Sequence, residues 1–427
     1  MSEPPPPAPI DAGKEDRAAH GLPIVPAFDG YRAFAILAIV FFHVIGFSGV
    51  LAGSTSTPGD QLIVAIGGWV VNVLFIVSGF VVFLPTAARG GNLGSVFAYA
   101  LRRAARLLPA FWLMLVILLA LIAWLPDNGT PFPSLRDITL NFSGMQDIAS
   151  VFLTDFQGGF GINGAIWTLT LEISFYIVLP FIASSYFRRP WLGLAIAAAI
   201  AVGWRVGFAH VADLASLIGA EPTPQRATEL RFSTQGLLPS WGFSFAAGMT
   251  GAWVFVRARK ADPERVQRLA RYALAVALPV LVLFGYLAGH YAVGNQRVLA
   301  GLLGQRNAFV YLGYTASLAT LMVALTLTPG RQRPFALPFA RSLGDISYGV
   351  FLIHLVIAWS LLILFSPPRT GTIWAFLLWS VMVVPASLAY GYVSARYLEQ
   401  PIRRWAHRFG RRAQVAPARQ APASPPA

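Results

Sequence analysis

The sequence predicts an all-α protein: a polytopic membrane bundle of about ten transmembrane helices with both termini cytoplasmic. Three observations carry that expectation. First, the 427 residues are 56% hydrophobic and 12% charged, with a mean hydropathy of +0.61, too apolar for a chain that folds in water. Second, apolar stretches near the ~20 residues a bilayer requires recur at 32–52, 65–85, 107–126, 164–186, 191–210, 235–257, 271–290, 309–328, 342–365 and 373–396. Third, with the N-terminus cytoplasmic, basic residues collect in the segments that face or enter from that side. The exceptions are Arg136, Arg205, Arg226, Arg231, Arg297, Arg306 and Arg369. The net charge of +14 is therefore read as topology-setting charge against anionic lipid, and no nucleic-acid partner is expected.

Residues 1–27 mix charges with prolines and lack the apolar core of a signal peptide, so they are expected to be a disordered tail. Residues 28–405 form the membrane domain, and 406–427 are a basic and then Pro/Ala-rich tail, also expected to be disordered. The first span is the membrane address, which points to a multi-pass protein of the cytoplasmic (inner) membrane. The absence of cysteine excludes disulfides, thiolate metal sites and a Cys nucleophile, and no metal site is expected.

Taken in order, the first span, YRAFAILAIVFFHVIGFSG, holds Arg32 near its entry and His43 eleven residues on. The helical rise sets them about 16 Å apart, roughly half a bilayer core. Ionisable groups at such depth are costly and mark a pathway or reaction site. The second span carries Gly67, Gly68, Ser78 and Gly79, small residues that let helices approach closely, and places Asn72 near the depth of His43. Before the third span, LRRAARLLPAFW puts Arg102, Arg103 and Arg106 on overlapping helical faces, where guanidinium forks suit phosphate as well as topology.

The loop of roughly 127–163 is long enough to be functional or mobile rather than a mere connector. The fourth span follows with WTLTLEISFYIVLP, starting at Trp167. Its Glu172 is expected at the level of His43 and Asn72, and a carboxylate beside an imidazole would raise its basicity and fix its tautomer. Arg205, near the end of the fifth span, is expected to snorkel to water. The loop from about 211 to 234, with Asp213, Glu221, Arg226, Glu229 and Arg231, reads as a solvated loop, with an acceptor mouth as the alternative. The seventh and eighth spans, free of charge, read as scaffold. The ninth, SLGDISYGVFLIHLVI, brings Asp345 and Tyr348 at its entry and His354 deeper in, the last expected to be a structural residue bonded to a neighbouring helix. Glu399 follows the tenth span at the interface.

Six of these stretches in this order resemble the acyltransferase 3 family of integral-membrane acyltransferases. They are the Arg32-x10-His43 spacing, GWVVNVLFIVSGFVV, LRRAARLLPAFW, WTLTLEISFYIVLP, SLGDISYGVFLIHLVI and YLEQPIRR, which together cover about 28–405. The resemblance implies transfer of an acyl group, often acetyl, from cytoplasmic acyl-CoA to a hydroxyl of a sugar, glycan or other acceptor. It implies donor roles for Arg32, Arg102, Arg103 and Arg106 and a catalytic role for His43. No tightly bound cofactor is expected. On this reading Glu172 assists His43, with Asn72, Ser78, Trp167, Asp345, Tyr348 and His354 in support. His43 would act as general base, or form a transient acyl-histidine. The rival from another class is a glycolipid or polysaccharide-precursor transporter, although the chain shows no clear internal repeat.

Overall fold

The computed structural model describes all residues except 1–24, 51–66, 126–128, 154–155, 157, 218, 220–221, 293–305 and 416–427. Apart from connecting segments the described residues are helical, with no strands among them. Its long helices are α1 (Ala27–Phe47), α2 (Val71–Ala88) and α3 (Val96–Trp124). Two short helices follow, α4 (Leu135–Phe142) and α5 (Gln146–Phe152), and then α6 (Trp167–Arg188) and α7 (Pro190–Ala209). After the short α8 (Val211–Ser216) and α9 (Pro224–Gln235) come α10 (Leu238–Ala258), α11 (Pro263–Ala292) and α12 (Arg306–Thr326). The chain ends with α13 (Pro329–Ala336), α14 (Pro338–Phe365), α15 (Ile373–Ser394) and α16 (Gln400–Val415), the last two joined by a π turn at Ala395–Glu399.

Nine helices among the described residues are long and apolar enough to cross a membrane. The tenth expected span, 235–257, is α10, a 21-residue helix whose composition keeps it outside that group. The reason is its position. It packs against α2, α7, α12 and α6, so it needs small residues for close neighbours more than apolar ones for lipid. A Cβ at Gly79 of α2 would fall on the Phe245 carbonyl of α10, and a Cβ at Gly248 of α10 would fall on the Ile76 carbonyl of α2. The two backbones therefore touch, and only glycine fits at either position.

Sequence and structure differ at several boundaries. The third helix begins at Val96, so the arginine cluster lies inside a membrane-length helix rather than ahead of one. At the C-terminus α16 carries the helix to Val415, so the basic start of the expected tail is helical; residues 1–24 and 416–427 lie outside the described residues. The long loop is built rather than slack. Ser134 caps α4 by accepting from Asp137 N, and Asn141 at its end accepts from the Gly159 amide at 2.7 Å. Beyond it, the run Gly158–Ile166 turns back into the bundle with Gly159, Phe160 and Gly161 all at positive φ, 61°, 54° and 75°. A phenylalanine held there is strained, and strain of this kind collects at functional sites. Asn163 pins the run by donating from Nδ2 to the Leu352 carbonyl of α14 at 2.8 Å.

Candidate active site

The first helix sets the axis of the site. Phe28 stacks on Phe80 near one end, and Gly67 lies against the Phe42 ring near the other, so α1 and α2 run antiparallel. Arg32 lies at the first end and His43 at the second. Arg32 is paired with Asp29, one turn earlier, at 3.5 Å, and Asp29 is itself buried at 6% exposure. The pair offsets the cost of a guanidinium at membrane depth.

His43 does not meet Glu172. Its Nδ1 lies 3.0 Å from Nε2 of His354 on α14, and the two rings are 5.0 Å apart. The direction of that bond follows from its neighbour. His354 Nδ1 is 2.7 Å from the Phe351 carbonyl oxygen, which can only accept, so His354 Nδ1 carries the proton. In a neutral ring Nε2 is then the acceptor, and His43 must donate to it from Nδ1. His43 Nε2 is left with its lone pair, the state a general base needs. His354, expected to be structural, is the residue that fixes the tautomer of His43.

Glu172 goes elsewhere. It lines a narrow cavity of about 60 Å³ with Arg32, Arg106, Ser78, Ser347 and Tyr348, drawn from α1, α2, α3, α6 and α14. Arg32 interacts electrostatically with both Arg106 and Glu172 there. The carboxylate therefore acts on Arg32, in a cavity that Arg106 also lines, instead of orienting an imidazole. The expectation that Glu172 shares the level of His43 is overturned: the structure sets it at the Arg32 end of α1, eleven residues of helix from His43. Ser78 lies 3.4 Å from the Tyr176 hydroxyl, and Tyr348 donates to the Leu107 carbonyl at 2.9 Å. The cavity reaches along α14 as far as Phe351 and Leu352, just short of His354.

The arginine cluster divides. Arg106 enters the cavity, while Arg103 sits over the Tyr99 and Tyr176 rings at 5.9 and 5.7 Å. Arg102 and Asp345 are half-buried and line neither that cavity nor the chamber described below. Asn72 is a helix cross-link rather than a partner of His43. Its Oδ1 accepts from Ser244 at 2.7 Å and Thr315 at 3.1 Å, tying α2 to α10 and α12. Glu399 is buried at 3% exposure in the π turn, where it accepts from Ser394 at 2.9 Å. It acts electrostatically on Tyr348, which links it to the cavity. An acid just past the last span gave no sign of this in the sequence, because the π turn that rotates it inward has no sequence signature.

A second, wider chamber of about 830 Å³ lies around the re-entrant run, with Trp69, Asn163, Trp167, Trp241, Arg205 and Asp147 in its wall. The two long loops meet there. Arg226 donates to the Ser150 and Val151 carbonyls and pairs with Glu229 at 3.5 Å, so the segment read as solvated is clamped onto the other. The side chains of Asp213, Glu221 and Arg231 lie outside the described residues. Asp147 is pushed up to about 6 by burial, against a weaker pull from the Thr170 hydroxyl. Arg205 does not snorkel. It is 2% exposed, over the Tyr311 ring at 3.9 Å and the Trp241 ring at 5.0 Å, and its Nε donates to the Ser240 carbonyl.

A family described as an acyltransferase domain, acyltransferase 3, matches residues 25–392. The chain is 23% identical over 397 residues to the peptidoglycan O-acetyltransferase OatA of Listeria monocytogenes, covering 89% of this chain and 56% of that one. It thus spans little more than half the length of that relative. It is 24% identical over 390 residues to nodulation protein 10 of Rhizobium leguminosarum bv. viciae, covering 88% of this chain and 92% of the other. No solved structure matches.

Proposed function

Because the chain belongs to the acyltransferase domain family, acyltransferase 3, we propose that this multi-pass membrane protein moves an acetyl or other short acyl group from cytoplasmic acyl-CoA to a saccharide hydroxyl. The membrane would be the cytoplasmic (inner) one. The relative named as a peptidoglycan O-acetyltransferase favours acetyl as the group and a cell-envelope glycan as the acceptor.

The observation that carries this reading is the bond from His43 Nδ1 to His354 Nε2, with the Phe351 carbonyl behind it. His43 Nε2 removes the proton from the acceptor hydroxyl as its oxygen attacks the thioester carbonyl. The C–S bond breaks, the imidazolium returns that proton to the departing thiolate, and the products are the ester and CoA. Both ring nitrogens of His43 are used, one to hold and one to react.

Donor binding falls to the Arg32 end. Arg102, Arg103 and Arg106 offer forked donors to the phosphates at the cytoplasmic face, and the narrow cavity past Arg32 and Tyr348 is the course for the acyl-bearing arm toward His354. Glu172 holds the two cavity arginines in place when no donor is bound.

Purified chain in lipid nanodiscs, given labelled acetyl-CoA and an envelope glycan, should form labelled ester and release CoA in equal amounts. His43→Ala should lower that rate by about 10²–10⁴ while the melting temperature stays near wild type. A well-folded variant within tenfold of wild type would move the base elsewhere.

A further inference from the structure

The wide chamber contains a charge with no use in the chemistry above. Arg205 is buried, and its Nη2 has no hydrogen-bond partner. The ionisable group that acts on it is Tyr311, and among the described residues it forms no ion pair with a carboxylate. A buried guanidinium without a counter-charge is costly, and a fold that keeps one has a reason to. The second arginine of the chamber shows the contrast. Arg226 spends its donors on the Ser150 and Val151 carbonyls and its charge on Glu229.

The surroundings of Arg205 are organised rather than accidental. Tyr311 lies under the guanidinium plane, and the Tyr311 hydroxyl is engaged with Ser244 at 2.8 Å. Ser240 holds Nε, and Nη2 is left without a partner. Trp69 and Trp167 add flat apolar wall, and Gln146, Asp147 and Ser150 add polar groups. Aromatic faces beside a few placed polar groups are the chemistry that recognises a sugar ring. The chamber is tied to the narrow cavity, since Asn163 in its wall bonds the carbonyl of Leu352, which lines that cavity two residues before His354.

We propose that Arg205 is an anion subsite in the acceptor chamber, so that the preferred acceptor is an acidic saccharide whose carboxylate or phosphate pairs with this guanidinium. This rests on the acyl-transfer reading for the word acceptor, but not for the binding itself. Guanidinium forks match either oxyanion bidentately, and here the pairing would form in a site shielded from water.

Equilibrium dialysis of the full chain in detergent, without any acyl donor, tests it. Three tetrasaccharides of equal size are compared: one neutral, one ending in a uronic acid, one bearing a phosphate monoester. At least one acidic probe should bind about tenfold or more tightly than the neutral one, as expected for a charge-assisted hydrogen bond. Arg205→Met keeps the apolar stem against the rings and should erase that preference. Arg205→Lys should retain part of it, and serves as the folded comparison should the Met variant fail to fold. Whichever acidic probe shows the gain identifies the oxyanion. Equal binding of all three probes, no binding of either acidic one, or a preference that survives in folded Arg205→Met would overturn the proposal. Binding preference without ester formation in the presence of acetyl-CoA would leave the subsite standing and defeat only the acyl-transfer reading.

Discussion

His354 and His43 divide one task between them, and a substitution at each should fail differently. His354→Ala leaves His43 Nδ1–H without its acceptor and lets the ring turn. Turnover should drop about 10–10²-fold through misplacement of the base, with the donor KM unchanged. His354→Gln, whose amide oxygen can accept the same proton, should recover part of the loss; equal damage from both variants would reduce His354 to packing. The arginines offer a second contrast at this scale. Arg106 lines the narrow cavity and Arg102 does not. Arg106→Lys should raise the donor KM about tenfold or more by loss of the fork, while Glu172→Gln should change donor affinity and leave the pH profile of turnover where it was. A shifted profile in Glu172→Gln would restore the carboxylate to the side of His43. Spacing within one helix was legible, because the rise is a fixed 1.5 Å per residue, and it set Arg32 and His43 far apart along α1. It could not give the offset and rotation of one helix against another, and those bring Glu172 to Arg32 and His354 to His43.

The elements outside the spans were the least legible. That the 127–163 loop does more than connect was readable from its length, but its return into the bundle depends on a phenylalanine in the left-handed region and on an Asn-to-carbonyl bond spanning 189 positions in sequence. Neither is a local signal. The same segment gives a pH test. Asp147 at the start of α5 ordinarily titrates near 3.8, and burial lifts it to about 6 in the folded chain. A carboxyl whose folded pKa lies above its unfolded one favours the fold while it is protonated. That contribution is complete below about pH 4 and is lost as pH rises through about 6. Asp147→Asn cannot ionise, so its melting temperature should fall less than wild type between pH 5 and 8. Parallel melting curves across that range would show that Asp147 is not the group responsible.

For the whole molecule, the arrangement rests on α10 lying bare against α2. Gly248→Val would drive a side chain into the Ile76 carbonyl, where the helix cannot give way, and should cost about 1–3 kcal/mol or more as overpacking. Gly242→Ala on the same helix meets nothing within 4 Å and should be close to neutral in a detergent melting curve. Equal losses would mean that the close approach of α10 to α2 does not set the effect. The order of the long helices was readable from hydropathy, and nine of the ten expected spans are long and apolar enough to cross a membrane; the centrality of α10 was not readable, since a helix surrounded by helices is free to be less apolar than its neighbours. One further feature belongs to this scale. Phe75 faces the narrow cavity, and the rings packed on it, Trp167 at 6.0 Å and Trp241 at 5.5 Å, face the wide chamber. The two compartments therefore share a wall of aromatic rings. A continuous wet passage through such a bundle would short-circuit an electrochemical gradient; a wall of rings between two cavities is a barrier to that leak.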